Sequence, residues 1–210
     1  MFLYNYKNIL YLYKNMIITV FDFDDTLFPT THYINKKQQN EEVFEKNELE
    51  KICNNIRTLY NISKNNNSEI YIITNANLSW IDMILKSYLS DCINIFNEIN
   101  IISTLNENFS FERDKSMWKT YSFIFKLYQY FNNDEKHELI SFGDCLFDRE
   151  AAITIKKLFP NVIVKNTLLI AKPNLNEFLI EQDAIIKNIQ NTYNYKDHID
   201  DKIIIKKILQ

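Results

Sequence analysis

Three places in the chain set acidic or hydroxyl side chains at the end of an apolar run. Asp22-Phe23-Asp24-Asp25-Thr26 closes MIITVF, Thr74-Asn75 follows EIYII, and Gly143-Asp144 follows ELISF with Asp148 four positions on. Asp22 and Asp24 are two apart, so at a strand end both lean toward one face while Asp25 points elsewhere. Carboxylates gathered in this way repel one another. They are tolerable only if a cation neutralises them or if one stays protonated. An all-oxygen ligand set suits a hard ion, and Mg²⁺ takes one or two carboxylates plus water and substrate phosphate. The chemistry such a set allows is attack of one carboxylate on phosphorus while the other delivers a proton to the leaving oxygen. A Thr and a Lys would hold the phosphoryl oxygens as charge moves onto them.

The elements that must position these residues alternate. Residues 16–21, 69–73, 99–103, 138–142 and 161–165 are short apolar runs that predict five buried strands. Between them, 47–63, 77–89, 114–131 and 148–159 carry helical spacing, and the tail from Leu175 is expected to be helical. In 47–63 the stripe is Leu49, Ile52, Cys53, Ile56, Leu59 and Tyr60. Alternation of this kind predicts an α/β fold: a Rossmann-like three-layer sandwich around a five-stranded, mainly parallel sheet. Ligands bind such sheets outside the carboxyl ends of the strands, where the acidic and hydroxyl residues cluster. The expected organisation is an N-terminal arm over 1–15, a catalytic domain over 16–190 and a helical tail over 191–210. Met16, directly before the first strand, is a possible alternative start.

Composition narrows the function classes. The chain has 210 residues and 1 glycine, Gly143, so the P-loop and the dinucleotide fingerprint, which need two and three glycines, are excluded by count. Asparagine is expected to serve at the turns and helix ends that glycine would otherwise fill. The net charge of -3 argues against a broad footprint for duplex nucleic acid. Cys53, Cys92 and Cys145 are too few and scattered for a disulfide framework or a CxxC zinc site, which fits a reducing, cytoplasmic compartment. No apolar run approaches the ~18–20 residues of a membrane span, and residues 1–15 lack the pattern of a signal peptide.

The three motifs, in this order and in this strand context, resemble the haloacid dehalogenase-like (HAD-like) phosphatase superfamily. Its first motif, an apolar strand followed by DxDx(T/V), is matched by Asp22–Thr26. A strand ending in Thr or Ser is matched by Thr74, and an acidic pair of the form GDxxxD by Gly143, Asp144 and Asp148. The similarity is closer to a subgroup of small, uncapped HAD-like proteins of protists, plants and large DNA viruses. Its features read here as DFDDTL with Pro29 and Thr30, Thr74-Asn75-Ala76 followed by Trp80, Trp118-Lys119, and Gly143-Asp144 with Arg149 and Ala151. The resemblance implies an Mg²⁺-dependent phosphohydrolase in which Asp22 is the nucleophile and Asp24 the general acid and base. It implies that Asp22, Asp24 (through its carbonyl), Asp144 and Asp148 form or support the metal site, and that Thr74 and Asn75 bind phosphate. For the motif lysine, Lys119 is the choice and Lys115 the alternative.

Plainer roles stand beside these. Thr74 reads also as a helix cap, Asp148 as the N-cap of its helix, and Lys119 as a lysine snorkelling among aromatics. Cys145 reads as a small packed residue and Trp80 as core. The run 202–207 (KIIIKK) reads as a solvated or amphipathic helix end. In HAD-like enzymes a cap domain would be inserted after the first or third strand. Here 29–46 suffices for a loop or small flap, and 104–137 is used by the aromatic helix. No full cap is expected, which favours a phosphate on a large or extended molecule. The readings of another class are a catalytically weak phosphate-binding or protein-interaction module, and a phosphotransferase or nucleic-acid end phosphatase.

Overall fold

The computed structural model describes residues 15–107, 114–131 and 133–203. The N-terminal arm reading, and that of 202–207 beyond Ile203, lie outside the described residues. The elements run β1 (Ile17–Phe21), α1 (Thr30–Gln38), α2 (Lys46–Asn65), β2 (Ser68–Thr74), α3 (Leu78–Ser87), α4 (Ile93–Phe96), β3 (Asn100–Ser103), α5 (Trp118–Phe131), β4 (His137–Gly143), α6 (Leu146–Leu158), β5 (Val162–Leu168), α7 (Leu175–Asn194) and β6 (Ile199–Lys202). Single 3₁₀ turns precede α4 and α5.

The strands form one sheet in the order β3-β2-β1-β4-β5-β6, and every pairing is parallel. The architecture is α/β and Rossmann-like. Side chains alternate across the strands into two cores. Phe21, Ile70 and Ile72 join Ile52, Ile81 and Phe178 on one face, while Ile18, Val20 and Ile73 join Phe123, Leu127 and Ile155 on the other. Helices α2, α3 and α7 therefore cover the first face, and α5 and α6 the second. Tyr193 of α7 reaches into the sheet, its hydroxyl 2.6 Å from Thr19 Oγ1. Cys53 and Cys92, both buried and free, meet at 3.0 Å beneath α2.

Two sequence expectations are corrected. The sheet has six strands, not five: residues inside the expected helical tail 191–210 add β6 beside β5, with Ile199 opposite Lys165. Its sequence, IDDK, is short, polar and largely exposed, so it carries none of the apolar signal of the inner strands. The segment 29–46, read as a loop or flap, contains helix α1. None of its residues is fully buried. It is pinned by Tyr33, whose ring packs against Phe28, Trp80 and Tyr88.

Helix ends follow the expected chemistry. Asn77 caps α3 by accepting from Ser79 N, and Asn174 and Glu177 close a reciprocal box at the start of α7. Such caps contribute about 1 kcal/mol each. Asn40 and Asn67, just past α1 and α2, hold left-handed φ angles of 55° and 54°, so asparagine does take the glycine positions. Among the described residues no helix is long and apolar enough to cross a membrane.

Candidate active site

The strand order reverses between β1 and β4, and that is where the acidic residues gather. Asp22 N donates to Phe142 O at 2.9 Å, so the end of β1 is held against the end of β4. Beyond Asp22 the chain turns sharply: Leu27 N and Phe28 N both return to Phe23 O, and Asp25 N donates to Phe28 O. The turn needs a left-handed residue, and Asp25 supplies it at φ 53°. Aspartate is one of the few residues that takes this conformation at modest cost. Phe23 and Phe28 stack beneath the turn and anchor it in the core. From the far side, α7 holds it through Gln182, which donates to Thr26 O at 3.2 Å.

Lys119, in the first turn of α5, lies at the centre of the site. It is 1% exposed, with Nζ 2.7 Å from Asp22 Oδ2 and 2.5 Å from Asp148 Oδ1. Burial alone would lower its pKa. The carboxylates of Asp148 and Asp22 more than reverse that, so its ammonium is held above the ordinary lysine range. Lys119 is thus an ion-paired site residue and not a snorkelling surface lysine. The side chain of Lys115, the alternative, lies outside the described residues.

Asp148 is the third helical residue of α6, not its N-cap. Its Oδ2 accepts from Cys145 N (3.3 Å) and from the Cys145 thiol (2.8 Å), closing the helix start while Oδ1 binds Lys119. Both of its oxygens are therefore occupied. Burial raises its pKa, and Lys119 opposes the rise. Burial and the charge of Asp148 push the Cys145 thiol up to about 12, which disfavours the thiolate at pH 7.

Asp144 differs. It is half-buried and has no hydrogen-bond partner among the described residues. Burial, then the charges of Asp22 and Asp148, push its carboxyl up to about 8. Asp144, Cys145 and Asp148 place potential ligand atoms within 4.8 Å of one another. A neutral thiol and a carboxylate already committed to a lysine leave Asp144 as the free donor of that group.

Asp24 turns one oxygen, Oδ1, toward α1 and α3. Its Oδ1 accepts from Thr30 Oγ1 at 2.6 Å and from Trp80 Nε1 at 3.0 Å. Its main-chain carbonyl accepts no hydrogen bond among the described residues. Burial raises the Asp24 pKa, while the bond from Thr30 opposes the rise. Asp25 is spent on structure, its two oxygens accepting from Thr31 N and Thr31 Oγ1 at 2.8 and 2.5 Å.

Thr74 ends β2, buried, with Oγ1 accepting from Ala76 N at 3.1 Å. That bond leaves its hydroxyl proton free to donate. Thr74 does not cap α3, because Asn77 does. Asn75 is half-buried, and its Oδ1 accepts from Thr104 Oγ1 at 2.5 Å, which leaves the amide NH₂ as a donor.

Thr30 and Trp80 both bond Asp24, contacts that reasoning from residue types does not assign. Trp80 read as core, yet it is half-buried with its ring N–H on Asp24. The available signal is position: Thr30 follows Asp22–Leu27 and Pro29, and Trp80 follows Thr74-Asn75-Ala76. Comparison with protein-family models, with curated proteins and with solved structures finds no match for this chain.

Proposed function

We propose that the chain is an Mg²⁺-dependent phosphohydrolase of the HAD-like type, acting on a phosphomonoester through an aspartyl-phosphate on Asp22. One observation carries this reading: Lys119 Nζ bridges Asp22 and Asp148 inside the core, at 2.7 and 2.5 Å. A buried lysine between two carboxylates is expensive to build and adds little net stability. At the carboxyl edge of a parallel sheet, within reach of the charge of Asp144, it serves a purpose in phosphoryl transfer.

The residues present fit a hard cation. Asp22, Asp144 and the unengaged carbonyl of Asp24 are oxygen donors, and burial with the charges of Asp22 and Asp148 pushes the Asp144 carboxyl up to about 8. Asp148 supports the site through Lys119 more than it offers a ligand. Bound Mg²⁺ would neutralise the crowded carboxylates and the charge of the phosphoryl group.

The chain's own groups then act in order. Asp22 attacks phosphorus, and the bond from phosphorus to the leaving oxygen breaks. The leaving oxygen takes the proton of Asp24. Lys119, Thr74 Oγ1–H and the Asn75 amide donate to the phosphoryl oxygens. Asp24 then accepts a proton from water as the water oxygen attacks phosphorus and the bond to Asp22 breaks, which restores both carboxyls. The substrate class favoured is a phosphate on a large or extended molecule, because 29–46 is used by α1 and its flanks and leaves no length for a separate cap after β1.

The test is hydrolysis of para-nitrophenyl phosphate by wild type and Asp22→Asn, with and without Mg²⁺. Activity that requires both Mg²⁺ and Asp22 is expected. Undiminished turnover by Asp22→Asn would overturn the reading.

A further inference from the structure

Asp24 has two oxygens in unlike surroundings. Oδ1 receives two donors, Thr30 Oγ1 at 2.6 Å and Trp80 Nε1 at 3.0 Å. Oδ2 receives none among the described residues. In a carboxylic acid the oxygen that accepts two hydrogen bonds is the carbonyl oxygen, so the proton belongs on the other. We propose that Trp80 and Thr30 are positioning residues that fix the proton of Asp24 on Oδ2 and hold that oxygen toward the leaving group. The inference rests on the phosphohydrolase reading and deepens it.

The two donors come from different elements. Thr30 opens α1 and Trp80 lies in the first turn of α3, so the carboxyl is gripped between them. Trp80 is itself fixed: the ring of Tyr33 meets it edge-on at 5.3 Å and 69°. The one polar side-chain group of Trp80, the ring N–H, is spent on this carboxylate. Its half-buried place and that single hydrogen bond suit an aiming role. Transfer from a carboxyl that can rotate, or whose proton can sit on either oxygen, loses the near-attack geometry on which general acid catalysis depends.

A positioning role makes a prediction that a packing role does not. Loss of the donors should matter in proportion to how much the leaving group needs a proton. The experiment measures kcat/KM for a series of substituted phenyl phosphates, from phenyl to 2,4-dinitrophenyl, with wild type, Trp80→Phe and Thr30→Val. The Phe variant keeps the ring against Tyr33 and removes the N–H, and the Val variant removes only the hydroxyl. For either variant we expect a loss of at least ~10-fold with phenyl phosphate and within ~3-fold with the dinitrophenyl ester. The dependence of log kcat/KM on leaving-group pKa should therefore be steeper than in wild type. An equal loss across the series, or none, in both variants overturns the inference while leaving the phosphohydrolase reading intact. That reading fails separately, if wild-type turnover survives Asp22→Asn.

Discussion

Gly143 and Asp148 are in direct steric register: a Cβ on Gly143 would lie 2.3 Å from Asp148 Cγ and 2.5 Å from its Oδ2. The chain's single glycine therefore sits where its α-carbon must make room for the carboxylate that orients Lys119. No unusual backbone angle is involved, since Gly143 does not have a positive φ. Asp148 cannot step aside, because Lys119 and Cys145 hold both of its oxygens.

Gly143→Ala should consequently lose about 1–3 kcal/mol of stability, the usual cost of forcing atoms into a packed site. It should lose phosphatase activity more completely, because the displaced group carries Lys119 with it. Urea unfolding and a phosphatase assay read the two effects. Unchanged stability and rate would mean that Asp148 is free to move.

Lys119→Met should leave Asp22 and Asp148 buried without their counter-charge. Stranding a buried ion in this way costs about 3–5 kcal/mol at neutral pH. The loss should shrink on acidification, as protonation removes the stranded charge. Chemical unfolding at pH 7 and pH 5 checks both parts. A loss below about 0.5 kcal/mol at pH 7 would contradict the ion-paired centre.

Mg²⁺ should stabilise the folded chain by mass action. At 100 times its dissociation constant the gain is about 2.7 kcal/mol, a rise of roughly 5–10 °C in Tm for a chain of this size. Asp144→Asn should abolish the rise, since the Asp144 carboxylate, just past the end of β4, has no hydrogen-bond partner among the described residues. Equal shifts in both proteins would place the ion elsewhere.

Glu181 supplies a pH dependence apart from the chemistry. It lies buried in α7 and accepts from Ile170 N at 2.7 Å. Burial pushes its carboxyl from an ordinary 4.5 up to about 7. Between those values the folded state binds more protons than the unfolded one, so stability falls as pH rises through the window. Glu181→Gln should remove that decline, gaining on the order of 2 kcal/mol over wild type at pH 7.5 and little at pH 4. Parallel stability curves for the two proteins would contradict it.

The inner strands were legible because each is a short apolar run: 138–142, for instance, is the centre of β4, His137–Gly143. β6 was not, because a polar edge strand is defined by its partner β5 and not by its own residues. Helix α1 lacks a signal for a related reason: TTHYINKKQ has no apolar stripe, and it is held by contacts to residues outside it, Thr30 and Thr31 on Asp24 and Asp25 and the Tyr33 ring on Trp80. In the site, Asp22, Asp144 and Thr74 could be read because strand ends announce themselves. Lys119 could be read only as a candidate, since forty-four residues separate it from Thr74 and only the packing of α5 brings it to Asp22. The aim of the Trp80 N–H depends on where α3 sits relative to β1, which no local pattern encodes.

The central claim is that Asp22 carries the phosphoryl group. The most direct measurement is acid quench of the protein turning over para-nitrophenyl phosphate with Mg²⁺, followed by borohydride reduction and peptide mass analysis. An aspartyl-phosphate is reduced to homoserine, and the account predicts homoserine at position 22. Turnover with Asp22 unmodified, and homoserine at another aspartate, would contradict it.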